Sequence, residues 1–285
     1  MKDIHNEAQD MNRTKFAESF EALYFSGHAL YGAPFDETAI ADWYAGEEYG
    51  YYELVQKENW DTKYEYCALN FFHAFAILKE ERFETCLVLG CADGTDVEPI
   101  APQVGRFLAI EPVERWWRRD IGGVPAEYQK PTMRNDLSSP DDSVDLAISL
   151  GFLHHIPNVS HVLREVSRVL RSGGVFVLRE PIHTMGDWRY PRRGLTKNER
   201  GLPPDWLHRM LGDTGFRVVR RSYYAVPTTE RFARFLGIRM PYNSRAVVAV
   251  DAVMSRLLSL NLHYHRDTLV KKLAPTAVFY LLRKV

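Results

Sequence analysis

Residues 85–112 constrain the fold of this chain more than any other stretch. They begin with a short apolar run, CLVL at 86–89, which is typical of a strand buried on both faces of a parallel sheet. The run ends at Gly90, and a second glycine follows at Gly94. Because Thr95-Asp96 are good helix N-cap residues, the sequence predicts a strand, a tight turn and a helix whose free N–H groups point back toward the strand tip. A turn of this kind can hold a ligand.

A second apolar run, at residues 107–110, ends in Glu111. A carboxylate at the tip of the second strand of a doubly wound sheet can accept both hydroxyls of a ribose lying over the first turn. The predicted ligand is therefore a nucleoside such as adenosine. Turns that bind dinucleotides use the spacing G-x-G-x-x-G, whereas this turn places Gly90, Ala92 and Gly94 at alternate positions.

The charge balance argues against nucleic-acid and membrane partners. The 36 basic and 37 acidic residues give a formal charge of −1 at pH 7, so no overall field attracts the protein to a polyanion. The longest apolar segment late in the chain, residues 246–260, is interrupted by Asp251 and Arg256 and is not typical of a membrane span. The N-terminal residues are too polar for a signal peptide, which predicts a cytoplasmic protein.

Cysteine usage agrees with that location. Cys67, Cys86 and Cys91 are an odd number, and two of them lie in or beside the predicted first strand, as reduced small hydrophobes would. No Cys-x-x-Cys or Cys/His spacing indicates a metal site, so we expect none.

The centre of the chain predicts further strands and helices in alternation. Buried strands are expected at 146–149 and 175–178, an edge strand at 126–133, and two later strands at 216–223 and 277–282. A helix with the period of one apolar face precedes Gly173-Gly174. The pattern predicts an α/β fold built on a doubly wound, mostly parallel, seven-stranded sheet.

These motifs together resemble the class I S-adenosylmethionine (SAM) methyltransferases, in particular their small-molecule, type 11-like branch. Beside the glycine turn, the resemblance rests on PDDSVDL at 140–146, LHHI at 153–156 and LREVSRVLRSGGV at 163–175. It covers roughly residues 85–182. It implies a Rossmann-like fold whose last strand is antiparallel, with SAM as the cofactor and a small molecule as the methyl acceptor. The family usually has glycine where Ala92 stands.

The resemblance also implies a cofactor site. Glu111 would hold the ribose and an acid near Asp136 would meet the adenine amine, with Met133 as the alternative position for that contact. The glycine turn would line the methionine portion, and the end of the fourth strand would contact the cofactor. The implied cofactor-binding residues are Gly90, Cys91, Ala92, Gly94, Glu111, Pro112, Asp136, Leu137, Leu150 and Gly151.

Three histidines are candidate bases. A hydroxyl acceptor must lose its proton on methylation, so a base with a pKa near neutral helps. His154 and His155 follow the fourth strand, at the carboxyl edge where doubly wound sheets bind ligands, and His183 follows the fifth strand. Alternatively, the His154-His155 pair only orders its loop by hydrogen bonding.

Two domains are expected. Residues 1–82 predict a helical cap or lid, and residues 83–285 predict the SAM-binding domain, with substrate-lid insertions at 184–203 and at 228–270; the second insertion is helical and precedes the last strand. In the cap, a helix from Asp36 is followed by an aromatic-rich loop. Tyr51 and Tyr52 of this loop are candidate substrate-binding residues, whose rings could face a sulfonium by cation–π contact. The alternative is that the rings pack the cap against the sheet.

Two functions from different classes remain open on the sequence. The first is an active SAM-dependent methyltransferase that acts on a small molecule, with a hydroxyl oxygen of a sugar-like or natural-product-like acceptor favoured. The second is a SAM-binding protein without catalysis that works through a protein interface, which Ala92 and the lack of an unambiguous base leave open. A nicotinamide dehydrogenase is a distant third.

Overall fold

A computed structural model describes residues 22–57 and 64–285, with only the helical backbone described over 48–57. Its centre is an eight-stranded sheet with the order β3-β4-β2-β1-β5-β6-β8-β7. The strands are β1 (Phe83–Leu89), β2 (Val104–Ile110), β3 (Asp120–Ile121), β4 (Val124–Gln129), β5 (Val144–Leu150), β6 (Leu170–Pro181), β7 (Phe216–Tyr224) and β8 (Ala277–Lys284).

The predicted α/β class and the mostly parallel, doubly wound sheet are confirmed. Strands β4, β2, β1, β5 and β6 pair in parallel, and β8 runs antiparallel between β6 and β7. The strand count of seven is low by one. The extra strand, β3, has only two residues and forms an antiparallel hairpin with β4 around Gly122 and Gly123. A pairing this short leaves no periodic signal in the sequence.

Helices cover both faces of the sheet, as expected when the strands are apolar on both sides. Residues alternating along β1 illustrate this: Cys86 and Val88 pack into one buried cluster, whereas Leu87 and Leu89 pack into another. The helices are α1 (Glu37–Lys57), α2 (Cys67–Asn70), α3 (Val159–Val169), α4 (Pro204–Asp213), α5 (Pro227–Phe235) and α6 (Arg245–Leu258). A π-helical turn, Phe71–Phe75, continues α2, and short 3₁₀ helices occur at Glu98–Gln103, Glu114–Trp116, Leu153–His155, Pro241–Asn243 and Ser259–Asn261.

The prediction of a helix beginning at Thr95-Asp96 is wrong. Residues 95–97 form turns, and the next regular element is the six-residue 3₁₀ helix Glu98–Gln103. This segment contains Pro99 and Pro102, and proline has no backbone N–H and clashes with the preceding turn inside an α-helix. The first strand is therefore not followed by the row of free N–H groups that the sequence predicts.

The aromatic-rich loop predicted in the cap is also wrong. Asp36 does cap a helix, because its Oδ1 accepts the N–H of Ala39 at 2.9 Å, but helix α1 continues through Lys57. Tyr51 and Tyr52 therefore lie on a helix, and their side chains are outside the described residues. Their contact with substrate stays a prediction.

The amide of Asn243 forms one of the contacts between the cap and the second insertion. The side chain of Asn243 accepts the N–H of Cys67 at 2.8 Å and donates to the carbonyl of Tyr64 at 2.7 Å. The division of the chain at residue 82 stays a prediction. Within the residues that the structure describes, no helix has the length and apolar character needed to cross a membrane.

Asp251 should be the costliest polar side chain to remove from the second insertion. It is fully buried on α6, and its two oxygens accept the N–H groups of Ala225 and Val226 at 2.7 and 3.0 Å. Asp251→Ala leaves both groups without a partner and should lower the free energy of unfolding by about 2–4 kcal/mol in urea titrations. Ser255→Ala, which removes only a long 3.4 Å contact to Asp251, should cost about 0.5–1 kcal/mol. Equal losses in the two variants would contradict this account.

Candidate functional site

The turn after β1 adopts backbone angles that favour glycine. Gly90, Ala92 and Gly94 all have positive φ angles, of 65°, 49° and 84°. A Cβ atom on Gly90 would lie 2.2 Å from the ring of Phe152, and one on Gly94 would lie 2.5 Å from the side chain of Ile121. Both glycines are thus required by close packing as well as by backbone conformation. Ala92 carries its methyl group on a left-handed backbone, at the position where the family usually has glycine.

Glu111 joins the tips of β1 and β2. It is 4% exposed, and its two oxygens accept the N–H groups of Ala92 and Val113, both at 2.9 Å. Burial raises the pKa of Glu111, and the two N–H donors oppose that shift. Each carboxylate oxygen has a second lone pair, which is free to accept a ribose hydroxyl.

Most of the residues expected at the cofactor surround this turn, and Asp136 lies at the surface. Oδ1 of Asp136 is 2.9 Å from Nε2 of His161 on α3, and its side chain is half-exposed. The neighbouring Leu137 is buried, and its N–H is bound by Glu165. Met133, the alternative position, is exposed. The contact of either residue with adenine stays a prediction.

A buried charged pair near the turn was missed by the sequence reasoning. Arg179, near the end of β6, is buried and donates to the carbonyl of Leu150 at 3.0 Å and to Oδ1 of Asn70 at 2.9 Å. Its guanidinium lies 3.4 Å from where a Cβ on Gly151 would stand. Asp96 is also buried, and its Oδ1 has no hydrogen-bond partner among the described residues. The sequence did contain a signal for this residue, because Arg179 continues the apolar strand run at 175–178. An arginine buried at the end of such a strand needs a polar or charged partner.

Glu180 organises the loop that carries two of the candidate bases. Its side chain is fully buried at the end of β6. Oε1 accepts the N–H groups of Phe152 and Leu153 at 3.0 and 2.7 Å, and Oε2 lies 2.8 Å from Nδ1 of His154. One carboxylate thus supports the whole 3₁₀ turn after β5 and orients the ring of His154.

His154 lies between two carboxylates. Its Nε2 is 3.5 Å from Oε1 of Glu199, on the opposite side of the ring from Glu180. Burial alone would lower the pKa of His154, but the neighbouring carboxylates of Glu180 and Glu199, which favour the charged ring, outweigh it and raise the pKa to about 9. The ring of His154 is therefore an imidazolium at neutral pH, with both nitrogens protonated. It would have to lose one of these protons before it could act as a base.

His155 stands beside His154, with the two ring centres 4.1 Å apart. Nδ1 of His155 is 3.2 Å from Oε2 of Glu47 on helix α1. Thr196 connects the two outer carboxylates, because its hydroxyl donates to Glu47 at 2.6 Å while its N–H donates to Glu199 at 3.1 Å. We refer to His154, His155, Glu47, Glu180 and Glu199 as the His–Glu cluster.

The third candidate base, His183, lies in a different environment. It lines a groove of about 630 Å³ together with Thr184, Arg231 and Arg266, and no member of the His–Glu cluster lines that groove. Burial lowers the pKa of His183 to about 4, so the ring is neutral, and its buried Nδ1 has no hydrogen-bond partner among the described residues. The structure therefore brings His154 and His155 together and leaves His183 apart from them.

The comparison with known families agrees with this geometry. A family model described as a methyltransferase domain matches residues 87–178, which run from β1 into β6. The chain contains a class I SAM-dependent methyltransferase domain. The resemblance drawn from the sequence motifs is thereby confirmed, and the cofactor of the methyltransferase domain is SAM.

Individual relatives match this chain over part of their length. The chain is 36% identical over 159 residues to an uncharacterized 37.1 kDa protein in transposon TN4556 of Streptomyces fradiae, a match that covers 51% of this chain and 44% of that protein. It is 29% identical over 99 residues to a probable S-adenosylmethionine-dependent methyltransferase of Mycolicibacterium smegmatis, covering 33% and 37% of the two chains. The chain thus spans less than half the length of these curated relatives.

A solved structure supports the fold. The crystal structure of an S-adenosylmethionine-dependent methyltransferase from Mesorhizobium loti superposes with a TM-score of 0.50 at 17% identity, covering 75% of this chain and 97% of that one. At this identity the similarity shows that the two proteins share a fold.

Ala92→Gly should stabilise the methyltransferase domain. A non-glycine residue on a left-handed backbone costs roughly 1–2 kcal/mol, part of which is offset by the greater freedom of glycine in the unfolded chain. We therefore expect the free energy of unfolding to rise by about 0.5–1 kcal/mol in urea titrations. Ala39→Gly, inside helix α1, should lower it by about 1 kcal/mol. A loss of stability in Ala92→Gly would contradict this prediction.

Asp96 should make stability fall as pH rises. Burial raises its pKa from 3.8 to about 7, with Arg179 opposing the shift. Between these values the folded protein holds a proton that the unfolded chain has lost, so the free energy of unfolding decreases with pH through this window. Asp96→Asn removes the effect and should be more stable than the parent by up to about 4 kcal/mol at pH 8, with little difference near pH 4. A stability difference that is the same at pH 5 and pH 8 would contradict this prediction.

Proposed function

We propose that the whole protein transfers the methyl group of SAM to a hydroxyl oxygen of a small acceptor that is partly apolar or sugar-like. The observation that carries the proposal is the position of the His–Glu cluster. Its central histidines follow β5 and its central carboxylate, Glu180, lies near the end of β6, on the carboxyl edge where doubly wound sheets bind ligands. Phe152 connects this cluster to the glycine turn, because its ring packs on Gly90 while Glu180 binds its N–H.

The residues around the turn fit the cofactor chemically. SAM supplies an electrophilic methyl group on a sulfonium, and it also carries a ribose and a zwitterionic amino acid. Glu111 stands at the tip of β2, where it would accept the ribose hydroxyls. For the rest of the cofactor site, we propose the residues that the family resemblance implies.

The amino-acid end of the cofactor has two matching buried side chains. The guanidinium of Arg179 would bind the carboxylate, and the free Oδ1 of Asp96 would accept a hydrogen bond from the ammonium group. Leaving Oδ1 of Asp96 without a partner is costly, so a ligand that supplies a cationic donor would recover that free energy on binding. This assignment adds two residues to the cofactor site expected from the sequence.

The acceptor side must align the nucleophile and receive a proton. Methyl transfer is an in-line displacement in which positioning supplies several kcal/mol of the barrier. The His–Glu cluster offers carboxylate and imidazole groups to the acceptor hydroxyl, and its members are held by hydrogen bonds on several sides. His155 is the more accessible of the two histidines, since its side chain is 33% exposed and that of His154 is 10% exposed.

Aromatic side chains beside the cluster favour an acceptor with an apolar portion. Tyr31 stacks on Trp188 with ring centres 4.2 Å apart, and Nε1 of Trp43 donates to the carbonyl of His155 at 2.8 Å. The buried guanidinium of Arg200 donates to the carbonyls of His154 and Tyr31 at 2.7 and 2.9 Å and fixes the two segments together. The surroundings of the cluster are thus both rigid and aromatic.

Calorimetric titration with S-adenosylhomocysteine tests the cofactor site. Glu111→Gln and Arg179→Met should each weaken binding about 10–100-fold, because each removes a charge-assisted hydrogen bond from a buried site. Glu114→Gln is the matched control, since Glu114 is exposed and is paired with Lys130 at the surface; its affinity should equal that of the parent. Unchanged affinity in Glu111→Gln would overturn the proposal that Glu111 binds the ribose.

An assay with radiolabelled methyl groups tests the reaction. A panel of hydroxyl, amine and thiol acceptors should yield label on oxygen, and His155→Ala should reduce turnover while leaving S-adenosylhomocysteine binding unchanged. Tight cofactor binding without turnover on any acceptor would instead favour a SAM-binding protein that acts through an interface. Label on nitrogen or sulfur would overturn the oxygen assignment.

A further inference from the structure

We infer that the His–Glu cluster binds a divalent transition-metal ion, with Nε2 of His154, a ring nitrogen of His155 and a carboxylate oxygen of Glu199 as ligands. Glu47 lies beside them. The binding of the ion is independent of methyl transfer, whereas its role rests on the proposed function. No metal site was expected from the sequence, and the three ligands and Glu47 come from three separate segments of the chain.

The distances suit a common ion. His154, His155 and Glu199 each offer one ligand atom, and these atoms all lie within 4.8 Å of one another. In a tetrahedral site with bonds of about 2.0–2.2 Å, two ligand atoms are roughly 3.3–3.6 Å apart. The 3.5 Å between Nε2 of His154 and Oε1 of Glu199 falls in this range and is long for a direct hydrogen bond.

The surroundings of the ligands are those of a metal site. Metal-binding histidines usually donate their second ring N–H to a carboxylate, which fixes the ring and strengthens the ligand. Glu180 takes this position at Nδ1 of His154, 2.8 Å away, and is itself held by backbone N–H groups. Glu199 is supported in the same way, because Oε2 accepts the N–H of Thr196 and leaves Oε1 directed at His154.

The donor set selects the class of ion. Two imidazole nitrogens and a carboxylate favour Zn²⁺, Fe²⁺, Co²⁺ or Ni²⁺, whereas Mg²⁺ and Ca²⁺ prefer oxygen ligands throughout. Three protein ligands leave one tetrahedral position open, as in catalytic metal sites. The side chains of the ligands are 10%, 33% and 10% exposed for His154, His155 and Glu199, so the open position can face the side of His155.

The open position suits the acceptor hydroxyl. Coordination of a hydroxyl oxygen to a divalent ion lowers its pKa, as it does for water. The O–H bond then breaks and its proton passes to the Glu47 carboxylate, which is 3.2 Å from His155. The oxygen lone pair forms the new bond to the methyl carbon, and the carbon–sulfur bond breaks with its electron pair left on the sulfur of S-adenosylhomocysteine.

Cobalt titration tests the site without any turnover. The full chain, free of affinity tags and stripped with a chelator, should bind one Co²⁺ and develop the visible absorption of a tetrahedral centre with nitrogen and oxygen ligands. Zn²⁺ should displace it and raise the melting temperature, because the ion binds only the folded chain. Mg²⁺ at the same concentration should do neither.

Single substitutions locate the ion. Glu199→Gln and His155→Ala should each weaken Co²⁺ binding at least 10-fold, and His263→Ala, at an exposed histidine outside the cluster, should leave it unchanged. Glu199→Asp, which keeps the charge on a shorter side chain, should bind Co²⁺ with an altered spectrum. Circular dichroism establishes that each variant is folded. If Glu199→Gln does not fold, the altered spectrum of Glu199→Asp tests Glu199 as a ligand in its place.

The outcomes separate this inference from the proposed function. Absence of saturable 1:1 binding, or binding unaffected by Glu199→Gln, would overturn the metal site and identify the cluster as a self-contained network of imidazolium and carboxylate groups. Oxygen methylation that continues unchanged in chelator, with no ion bound, would overturn the catalytic role of the ion and leave the proposed function intact. Metal binding without methyl transfer on any acceptor would retain the site and overturn its catalytic role.

Discussion

The site depends above all on the buried carboxylate of Glu180. This side chain is fully buried at the end of β6 and is bound to the N–H groups of Phe152 and Leu153 and to the ring of His154. Without these bonds, the turn after β5 would leave buried N–H groups without partners. The same carboxylate therefore stabilises the fold at the ligand edge and determines the direction of the histidine ring.

The sheet places two chemically different halves on either side of this turn. On one side, Glu111 and the glycine turn present a carboxylate and a strained backbone at the tips of β1 and β2. On the other side, the His–Glu cluster gathers residues from α1, the turn after β5 and the first insertion. Phe152 packs between the two halves against Gly90, so that the proposed cofactor and acceptor sides would share a rigid boundary.

The sequence predicts the part of this arrangement that is local. Apolar runs, the glycine turn and the carboxylate of Glu111 follow one another within 30 residues, so the first two strands and the family resemblance were accessible from the sequence. The turns after Gly94 could not be predicted in this way, because Pro99 and Pro102 prevent the α-helix that the N-cap residues indicate. Only the histidines of the His–Glu cluster could be predicted, because His154 and His155 are adjacent in sequence. Glu47 and Glu199 approach them through tertiary packing, which no short sequence spacing encodes.

The proline-rich 3₁₀ helix after the glycine turn has an electrostatic consequence. An α-helix beginning there would direct about half a positive elementary charge toward a bound anion. Here Gly94 and Val97 use their N–H groups within the turns, bonding to Cys91 and Gly94. Under the proposed cofactor site, attraction of the carboxylate would come instead from a full side-chain charge, that of Arg179, which is buried beside Gly151. Anion recognition would then depend on one guanidinium instead of a backbone dipole, so that a single substitution could abolish it.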